Sequence, residues 1–445
     1  MTQATLAALR AGELRGATQL KLACDLQAFP PEIFTLADSL EVLDLSGNAL
    51  HALPEDLHRL RRLRVLFASG NAFTELPRAL GCCDNLEMVG FKGSRIAEVP
   101  AASLPPRLRW LILTDNAIET LPEALGECPR LQKLMLAGNR LRALPDALAR
   151  CTALELVRLA ANRFEALPPW LLQLPHLAWL AMAGNPLTAA REAQVRDDGS
   201  AVPAIAWTQL QVGELLGEGA SGFIHAAQWR RDDGVSEAVA LKLFKGGLTS
   251  DGRPESEMAA SLVAGTHAAL IGLKGRLVGH PEGREGLVLT RVDAQWRNLA
   301  GPPSFASCTR DVYAPGTAFD AATVQRLASD VAAAMAHLHA RGLVHGDLYA
   351  HNVLWRAAVE DGDGAAAPAR ALLGDFGAAA CAPAQLQPAL QALDVLAFGR
   401  LLGELLAHCT QADALPALAA LREDCLRPDP AARPRFEAIA RRCDG

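Results

Sequence analysis

Hydrophobic and polar positions recur with one period through the first part of the chain. The segments Leu43-Asp-Leu-Ser-Gly-Asn48, Leu66-Phe-Ala-Ser-Gly-Asn71, Leu134-Met-Leu-Ala-Gly-Asn139 and Leu180-Ala-Met-Ala-Gly-Asn185 share one order, with Asn116 and Asn162 in step. The steps are 23 residues, once 22, and Asp25 and Ser94 fall in the same slot, so the pattern makes about eight units. Alternation around each apolar triplet predicts a short strand with one residue inward and its two neighbours outward. Leu-Pro pairs follow at Leu53-Pro54, Leu76-Pro77, Leu121-Pro122, Leu144-Pro145 and Leu167-Pro168, where the chain should leave the strand for a convex side. An amide in the Asn slot can satisfy backbone groups where each coil turns, so the ladder reads as structural.

The period ends at Pro186, and from there to Pro203 the residues are small and polar, with Arg196-Asp-Asp-Gly-Ser200 expected to be an exposed linker. Leu210-Gln-Val-Gly-Glu-Leu-Leu216 then alternates as a strand and runs into Gly217-Glu-Gly-Ala-Ser-Gly222-Phe-Ile224. A dinucleotide site would want a helix and an acidic residue next. Here a second strand follows and delivers a lysine in Ala238-Val-Ala-Leu-Lys242. Further on stand His345-Gly-Asp347-Leu-Tyr-Ala-His-Asn352, Gly374-Asp375-Phe-Gly377, Asp394-Val-Leu-Ala-Phe-Gly399, read as a helix start, and Cys425-Leu-Arg-Pro-Asp-Pro-Ala-Ala-Arg433.

Over residues 17–188 the repeats resemble the leucine-rich-repeat family, and over 207–442 the ordered motifs resemble the protein-kinase superfamily. The resemblance implies a multidomain chain of the bacterial leucine-rich-repeat kinase type: a leucine-rich-repeat α/β solenoid over 1–188, a linker over 189–204, and a bilobal α+β protein-kinase-like domain over 205–445. It also implies ATP and Mg2+ as cofactors, with Gly217, Gly219, Gly222, Ile224, Ala240 and Lys242 holding the nucleotide. Asp347 would accept the substrate hydroxyl proton, and Asn352 and Asp375 would hold magnesium. Lys242 needs a carboxylate, and the helical stretch Pro254-Glu-Ser-Glu-Met-Ala-Ala-Ser-Leu-Val offers Glu257, with Glu255 two residues away. His345 reads as a packing residue.

Composition narrows the setting. Apolar residues make up 50% and charged residues 21%, which suits large buried cores. A net charge of -6 gives no basic footprint for nucleic acid, and neither a membrane surface patch nor an apolar run of spanning length is present in the sequence. The first twenty residues lack a secretory pattern, and Cys83, Cys128 and Cys151 recur at one place in the unit as small buried side chains, so a cytoplasmic setting is expected. Outward positions of the strands form two stripes, Val42, Val65, Met88, Trp110, Lys133, Leu156 and Trp179, beside Asp44, Phe67, Gly90, Ile112, Met135, Arg158 and Ala181. This apolar concave face predicts a protein or peptide partner anchored by Trp110, Trp179, Phe67 and Met135, the alternative being that the second half of the chain covers it and caps the last repeat at Trp179 to Asn185.

Three departures from the kinase pattern matter. Gly346 stands where many kinases carry the Arg that clasps a phosphorylated activation loop. Between Gly377 and Asp394 there is no Ser, Thr or Tyr to phosphorylate, and no A-P-E, so Arg433 has no counterpart Glu there. Tyr349-Ala-His351 lacks the Lys typical of serine/threonine kinases. The reading is an active protein kinase, of serine/threonine type as a prior, that acts on a protein substrate, is recruited by its repeats and needs no loop phosphorylation. A nucleotide-binding pseudokinase scaffold and a small-molecule kinase are the alternatives. Cys308-Thr-Arg-Asp-Val-Tyr313 is distinctive without an assigned role, and Ala357 to Arg370 reads as a flexible insert.

Overall fold

The repeat triplets form strands of three residues each: β1 (Gln19–Lys21), β2 (Val42–Asp44), β3 (Val65–Phe67), β4 (Met88–Gly90), β5 (Trp110–Ile112), β6 (Lys133–Met135) and β7 (Leu156–Arg158). They pair in parallel and in register, Gln19 with Val42, Val42 with Val65, and so on to Lys133 with Leu156. The central residues Leu43, Leu66, Leu111 and Leu134 are fully buried, so the period-2 alternation places the core on one side of this sheet. The computed structural model describes residues 2–197, 202–219, 221–360 and 366–444. Contacts divide the chain into two units, Met1–Leu177 and Ala178–Gly445.

In the first unit a short helix, α1 (Thr2–Arg10), precedes β1. Each Leu-Pro pair then sets the start of a 3-10 turn: Pro54, Pro77, Pro122, Pro145 and Pro168 are the N-cap residues of the convex segments. Asn139 shows how one coil is tied to the next. Its Nδ2 donates to the carbonyls of Leu113 and Leu136, each at 2.9 Å, while its Oδ1 accepts from the Ile118 amide at 3.0 Å. Asn71, Asn116 and Asn162 repeat the arrangement. The two irregular slots do not: Ser94 is too short, its hydroxyl buried without a partner, and Asp25 is exposed on left-handed backbone. Burial pushes the Cys83 and Cys128 thiols up to about 12 and about 11, and all ten cysteines are free.

The second unit opens with a repeat-like triplet, β8 (Trp179–Ala181), followed by α2 (Pro186–Asp197). The linker expected over 189–204 is therefore helical to Asp197. Pro186 fits a first helical turn, no Gly or Pro interrupts the run that follows, and the Asn185 carbonyl accepts from the Thr188 and Ala189 amides at 2.9 Å. Asp198, Gly199 and Ser200 of the expected linker lie outside the described residues.

A six-stranded sheet follows, built from β9 (Ala204–Ala206), β10 (Leu210–Glu218), β11 (Gly222–Arg230), β12 (Ser236–Phe244), β13 (Leu273–Val278) and β14 (Gly286–Thr290) in the spatial order β10-β11-β12-β14-β13-β9. Between β12 and β13 runs α3 (Pro254–Ala264). Ile205, Val239, Leu241 and Val288 form part of the sheet's core. The helical part holds β15 (Arg297–Asn298), α4 (Ala321–Ala340), β16 (Leu343–Val344), β17 (Val353–Arg356), β18 (Val359–Glu360), β19 (Ala366–Ala367), β20 (Arg370–Leu373), β21 (Ala380–Cys381), α5 (Gln387–Ala407), α6 (Pro416–Cys425) and α7 (Phe436–Asp444). The insert read over 357–370 carries the β18–β19 ladder, and its residues 361–365 lie outside the described ones.

Asp394, expected to begin a helix, lies inside α5 instead. Pro388 sits in the first turn, and the Ala, Leu and Gln that follow favour helix from Gln387 onward. Arg433 donates to the carbonyls of Ala392, Arg427 and Pro428. No helix among the described residues is long and apolar enough to cross a membrane.

The ladder yields the first prediction. Asn139→Ala strips a donor pair and an acceptor from buried backbone, each unmet group costing about 1–3 kcal/mol. Asn139→Asp should be no better, because a carboxylate cannot donate to the two carbonyls. Urea unfolding of the repeat unit should show both losses; an Asp variant as stable as the parent would contradict this account of the ladder.

Candidate active site

Strand pairing assembles one side of a cleft. The turn between β10 and β11 carries the glycine run, with Gly217 opposite Ile224, and β11 pairs with β12 so that Ile224 lies opposite Lys242. A cavity of about 200 Å³ is lined by Gly219, Gly222, Ile224, Lys242, Glu257 and Asp375. Gly217, Ala240, Asp347 and Asn352 do not line it; Ala240 is buried on β12. Gly222 is required by its neighbours, since a side chain there would meet the Leu243 carbonyl at 2.5 Å, whereas Cβ atoms at Gly217 and Gly219 would meet nothing within 4 Å. The protein itself thus leaves open space over the first two glycines, the room a bound phosphate chain would need.

Lys242 and Glu257 form an ion pair inside this cavity, with Glu257 on α3 only 4% exposed. Burial raises the Glu257 carboxyl pKa, Lys242 opposes that rise, and the nearby Asp375 charge adds to it. Glu255, the alternative partner, is not paired with Lys242. Asp375 is exposed on left-handed backbone at φ 53°, and its Oδ1 accepts from the Gly377 amide at 3.1 Å. Such backbone in a non-glycine residue is a strained feature that collects at functional sites.

The His345–Asn352 loop is held from beneath by Asp394. This carboxylate, 1% exposed, accepts from the amides of His345 and Gly346 at 2.9 and 3.0 Å and pairs with His339 Nε2 at 2.9 Å. His345 Nε2 meets the Gly374 carbonyl at 3.1 Å, joining this loop to the one that bears Asp375. Asn352 Nδ2 donates at 2.9 Å to both the backbone carbonyl and Oδ2 of Asp347. The Asn side-chain carbonyl is thereby turned away from Asp347. Oxygen donors of this kind, an amide and a carboxylate, suit a hard cation such as magnesium.

Residues that motif spacing did not reveal complete the site. Ile271, Leu273, Leu287 and Leu289 line the cavity as apolar residues, and Thr249, Asp251 and Ser261 line it as well, none of them with a motif to mark it. The run Cys308–Tyr313 gains a role: Asp311 accepts from the His351 amide at 2.9 Å and meets His351 Nδ1 at 2.7 Å. Forty positions separate the two, so only the unusual run itself was a signal. Tyr313 donates its hydroxyl to Glu404 Oε2 at 3.2 Å.

Trp179 corrects the expected partner face. It is 2% exposed, stacks on Tyr349 with ring centroids 4.1 Å apart, and donates from Nε1 to the Leu348 carbonyl at 3.0 Å. A ring so enclosed cannot anchor a partner. In the first unit the other three anchors are half-buried and mutually packed: the Phe67 and Trp110 rings lie 6.5 Å apart, and Trp110 Nε1 points at Met135 Sδ at 3.1 Å.

Two groups in this loop support make its stability depend on pH. Burial and the Asp311 charge raise the Glu404 carboxyl from 4.5 to about 7. Burial works against a charged His351, yet the hydrogen bond and charge of Asp311, with Asp347 and Asp375, raise its pKa above 6.5. Both folded values exceed the unfolded ones, so both groups favour folding in their protonated forms. Glu404 contributes fully below about 4.5 and loses its contribution as pH rises through about 7. Glu404→Gln should flatten the decline of thermal stability across that interval; an unaltered slope would mean that Glu404 is not the titrating group.

A family model described as protein tyrosine and serine/threonine kinase matches residues 210–385, and the leucine rich repeat model matches residues 18–73 and 106–164. Among solved structures, a leucine-rich-repeat protein of Leptospira interrogans is similar at 27% identity with a TM-score of 0.38; the match covers 42% of this chain and 48% of that one, so the chain spans about half of that protein's length. No curated protein matches the sequence. With the repeat ladder in one unit and the glycine turn, Lys242–Glu257 pair and Asp394-anchored loop in the other, the chain is a leucine-rich-repeat protein fused to a domain of the protein-kinase superfamily.

Proposed function

We propose that the second unit is an ATP- and magnesium-dependent protein kinase of serine/threonine type that needs no activation-loop phosphorylation. The observation that carries this reading is the Lys242–Glu257 pair, closed beside Asp375 in the cavity under the glycine turn. Phosphoryl transfer asks little covalent chemistry of a protein and much positioning and charge neutralisation. Gly217, Gly219 and Gly222 would cover the phosphates with backbone amides, and Ile224 and Ala240 would flank the nucleotide. Lys242, kept in place by Glu257, would neutralise the α and β phosphates.

Asp375 and the side-chain carbonyl of Asn352 would hold magnesium, which when bound spreads and neutralises charge on the transferred group. Asp347 would take the proton of the acceptor hydroxyl, its carboxylate oriented by the 2.9 Å bond from Asn352. Loop independence is supported by sequence and geometry together. Residues 378–386 between Gly377 and the start of α5 contain no hydroxyl side chain, and Gly346 offers no guanidinium to a phosphate. The absence of A-P-E from this short segment favours a second reading, transfer to a small molecule.

Transfer of label from ATP with magnesium to generic protein substrates tests the activity. Asp375→Ala should lower it at least ~100-fold, the order found on removing one electrostatic stabiliser. Phosphatase treatment beforehand should leave the rate unchanged. Label on a small acceptor alone would favour the second reading, and no transfer with ATP still bound would make the domain a scaffold.

The repeats would recruit a protein or peptide through Trp110, Phe67 and Met135, aromatic and Met residues being common anchors at such faces. Once a partner is captured, Trp110→Ala should weaken it by about 2 kcal/mol or more. Titration calorimetry would measure the change, and equal affinity would remove this face from consideration.

A further inference from the structure

If the loop of residues 378–386 cannot be fixed by phosphate, something else must hold the site together. Two elements at the start of the second unit touch it. On β8, Trp179 lies flat against Tyr349, interplanar angle 9°, and its Nε1 donates to the carbonyl of Leu348, the residue after Asp347. The Trp179 ring also faces two guanidinium groups, Arg400 at 4.7 Å and Arg310 at 5.5 Å. The neighbouring Leu180 carbonyl sits so close to Gly346 that a Cβ there would lie 2.5 Å from it, on backbone already left-handed at φ 69°. Gly346 is thus explained by space: any side chain at this position would collide with β8.

The second element is α2. Its Glu192 is 7% exposed and makes two hydrogen bonds, accepting at Oε1 from the Gly184 amide at 2.9 Å and at Oε2 from Ser256 Oγ at 2.8 Å. Ser256 is the residue before Glu257. The same carboxylate therefore ties the turn after β8 to the helix that presents the partner of Lys242. A buried carboxylate is costly to desolvate and holds its donors in one geometry, so this bond fixes where α3 lies.

We propose that residues 179–197 are a built-in brace that does the work of a phosphorylated activation loop, with Trp179 and Glu192 as its positioning residues. Trp179 fixes the backbone that carries Asp347, and Glu192 fixes the helix that carries Glu257. Neither touches the reacting groups. The inference rests on the kinase reading above, and it explains together two departures from the family pattern, the glycine at 346 and the loop without hydroxyls, and the helix that stands where a linker was expected.

The test uses the full chain. Glu192→Ala should release α3, raising the KM for ATP and lowering kcat on the order of 10- to 100-fold, as small misplacements of a catalytic constellation do. Glu192→Gln can still accept from Gly184 and pair with Ser256, and should recover most of that loss. Trp179→Phe keeps the stack and loses the bond to Leu348, so kcat should fall with little change in the KM for ATP. Hydrogen exchange of the α3 amides, read by mass spectrometry, should quicken in Glu192→Ala and return toward the parent rate in Glu192→Gln.

Parent-like kinetics and parent-like α3 exchange in Glu192→Ala would overturn the brace. If the parent protein transfers no phosphate, the kinase reading is what fails, and α3 exchange alone still decides the brace: faster exchange in Glu192→Ala sustains it, equal exchange ends it. Should Glu192→Ala not fold, the comparison passes to Ser256→Ala, which removes one of the two bonds, with the same outcomes.

Discussion

The second unit depends on a buried charge being kept in one place. Glu257 sits where burial disfavours its ionised form, and Lys242 is the group that makes ionisation acceptable. A buried pair of this kind adds little net stability, because desolvation offsets most of the attraction. Its value is directional: the two side chains meet only when β12 and α3 lie at one distance and one rotation. Breaking it by removing one partner would leave an uncompensated charge, typically a loss of about 3–5 kcal/mol. The site therefore exists only in the arrangement that also places Asp375 beside it.

Asp394 performs the corresponding task for the helical part. Two consecutive amides, of His345 and Gly346, cannot both be satisfied by regular structure where the chain turns sharply, and a buried carboxylate on α5 takes both. His339 Nε2 bonds to the same carboxylate, so three elements converge on one side chain. Because His345 in turn meets the Gly374 carbonyl, a shift of α5 would be felt at both Asp347 and Asp375. Long elements with deep cores thus fix short loops that have no core of their own.

The repeats and the kinase motifs were legible because each rests on a local rule. A 23-residue period and a Leu-Pro step need only neighbouring coils to be true, and Lys242, Asp347, Asn352 and Asp375 are marked by spacing within short runs. Glu257 was separable from Glu255 only by the geometry of α3, which turns one of two adjacent carboxylates toward β12. What stayed hidden depends on contacts between distant residues. Asp311 holds His351, Glu192 holds Ser256, and Trp179 stacks on Tyr349 across 170 positions of sequence (349 − 179). Trp179 illustrates the cause: alternation predicts that its side chain leaves the strand's inner face, which it does, but cannot say what will meet it outside. The helix that occupies Pro186–Asp197 of the expected linker region was hidden for a related reason: its Ala, Arg, Glu and Gln residues suit a helix, but the bonds of Glu192 that anchor it reach residues that local pattern does not show.

Gly346 shows how a missing residue can carry as much information as a present one. An arginine there would need a phosphate to pair with, and residues 378–386 supply no acceptor for one. It would also need space, and the Leu180 carbonyl occupies it. Either fact alone would leave one half of a phosphate clasp without its counterpart. Taken together they are complementary, because the same strand that removes the room for an arginine brings Trp179 to the backbone beside Asp347. A site that must be closed before it can act can be closed by a modification that comes and goes or by chain that is always present. Residues 378–386 hold no Ser, Thr or Tyr that a phosphate could be placed on, and the hydrogen bonds of Trp179 and Glu192 are of the kind that the second requires.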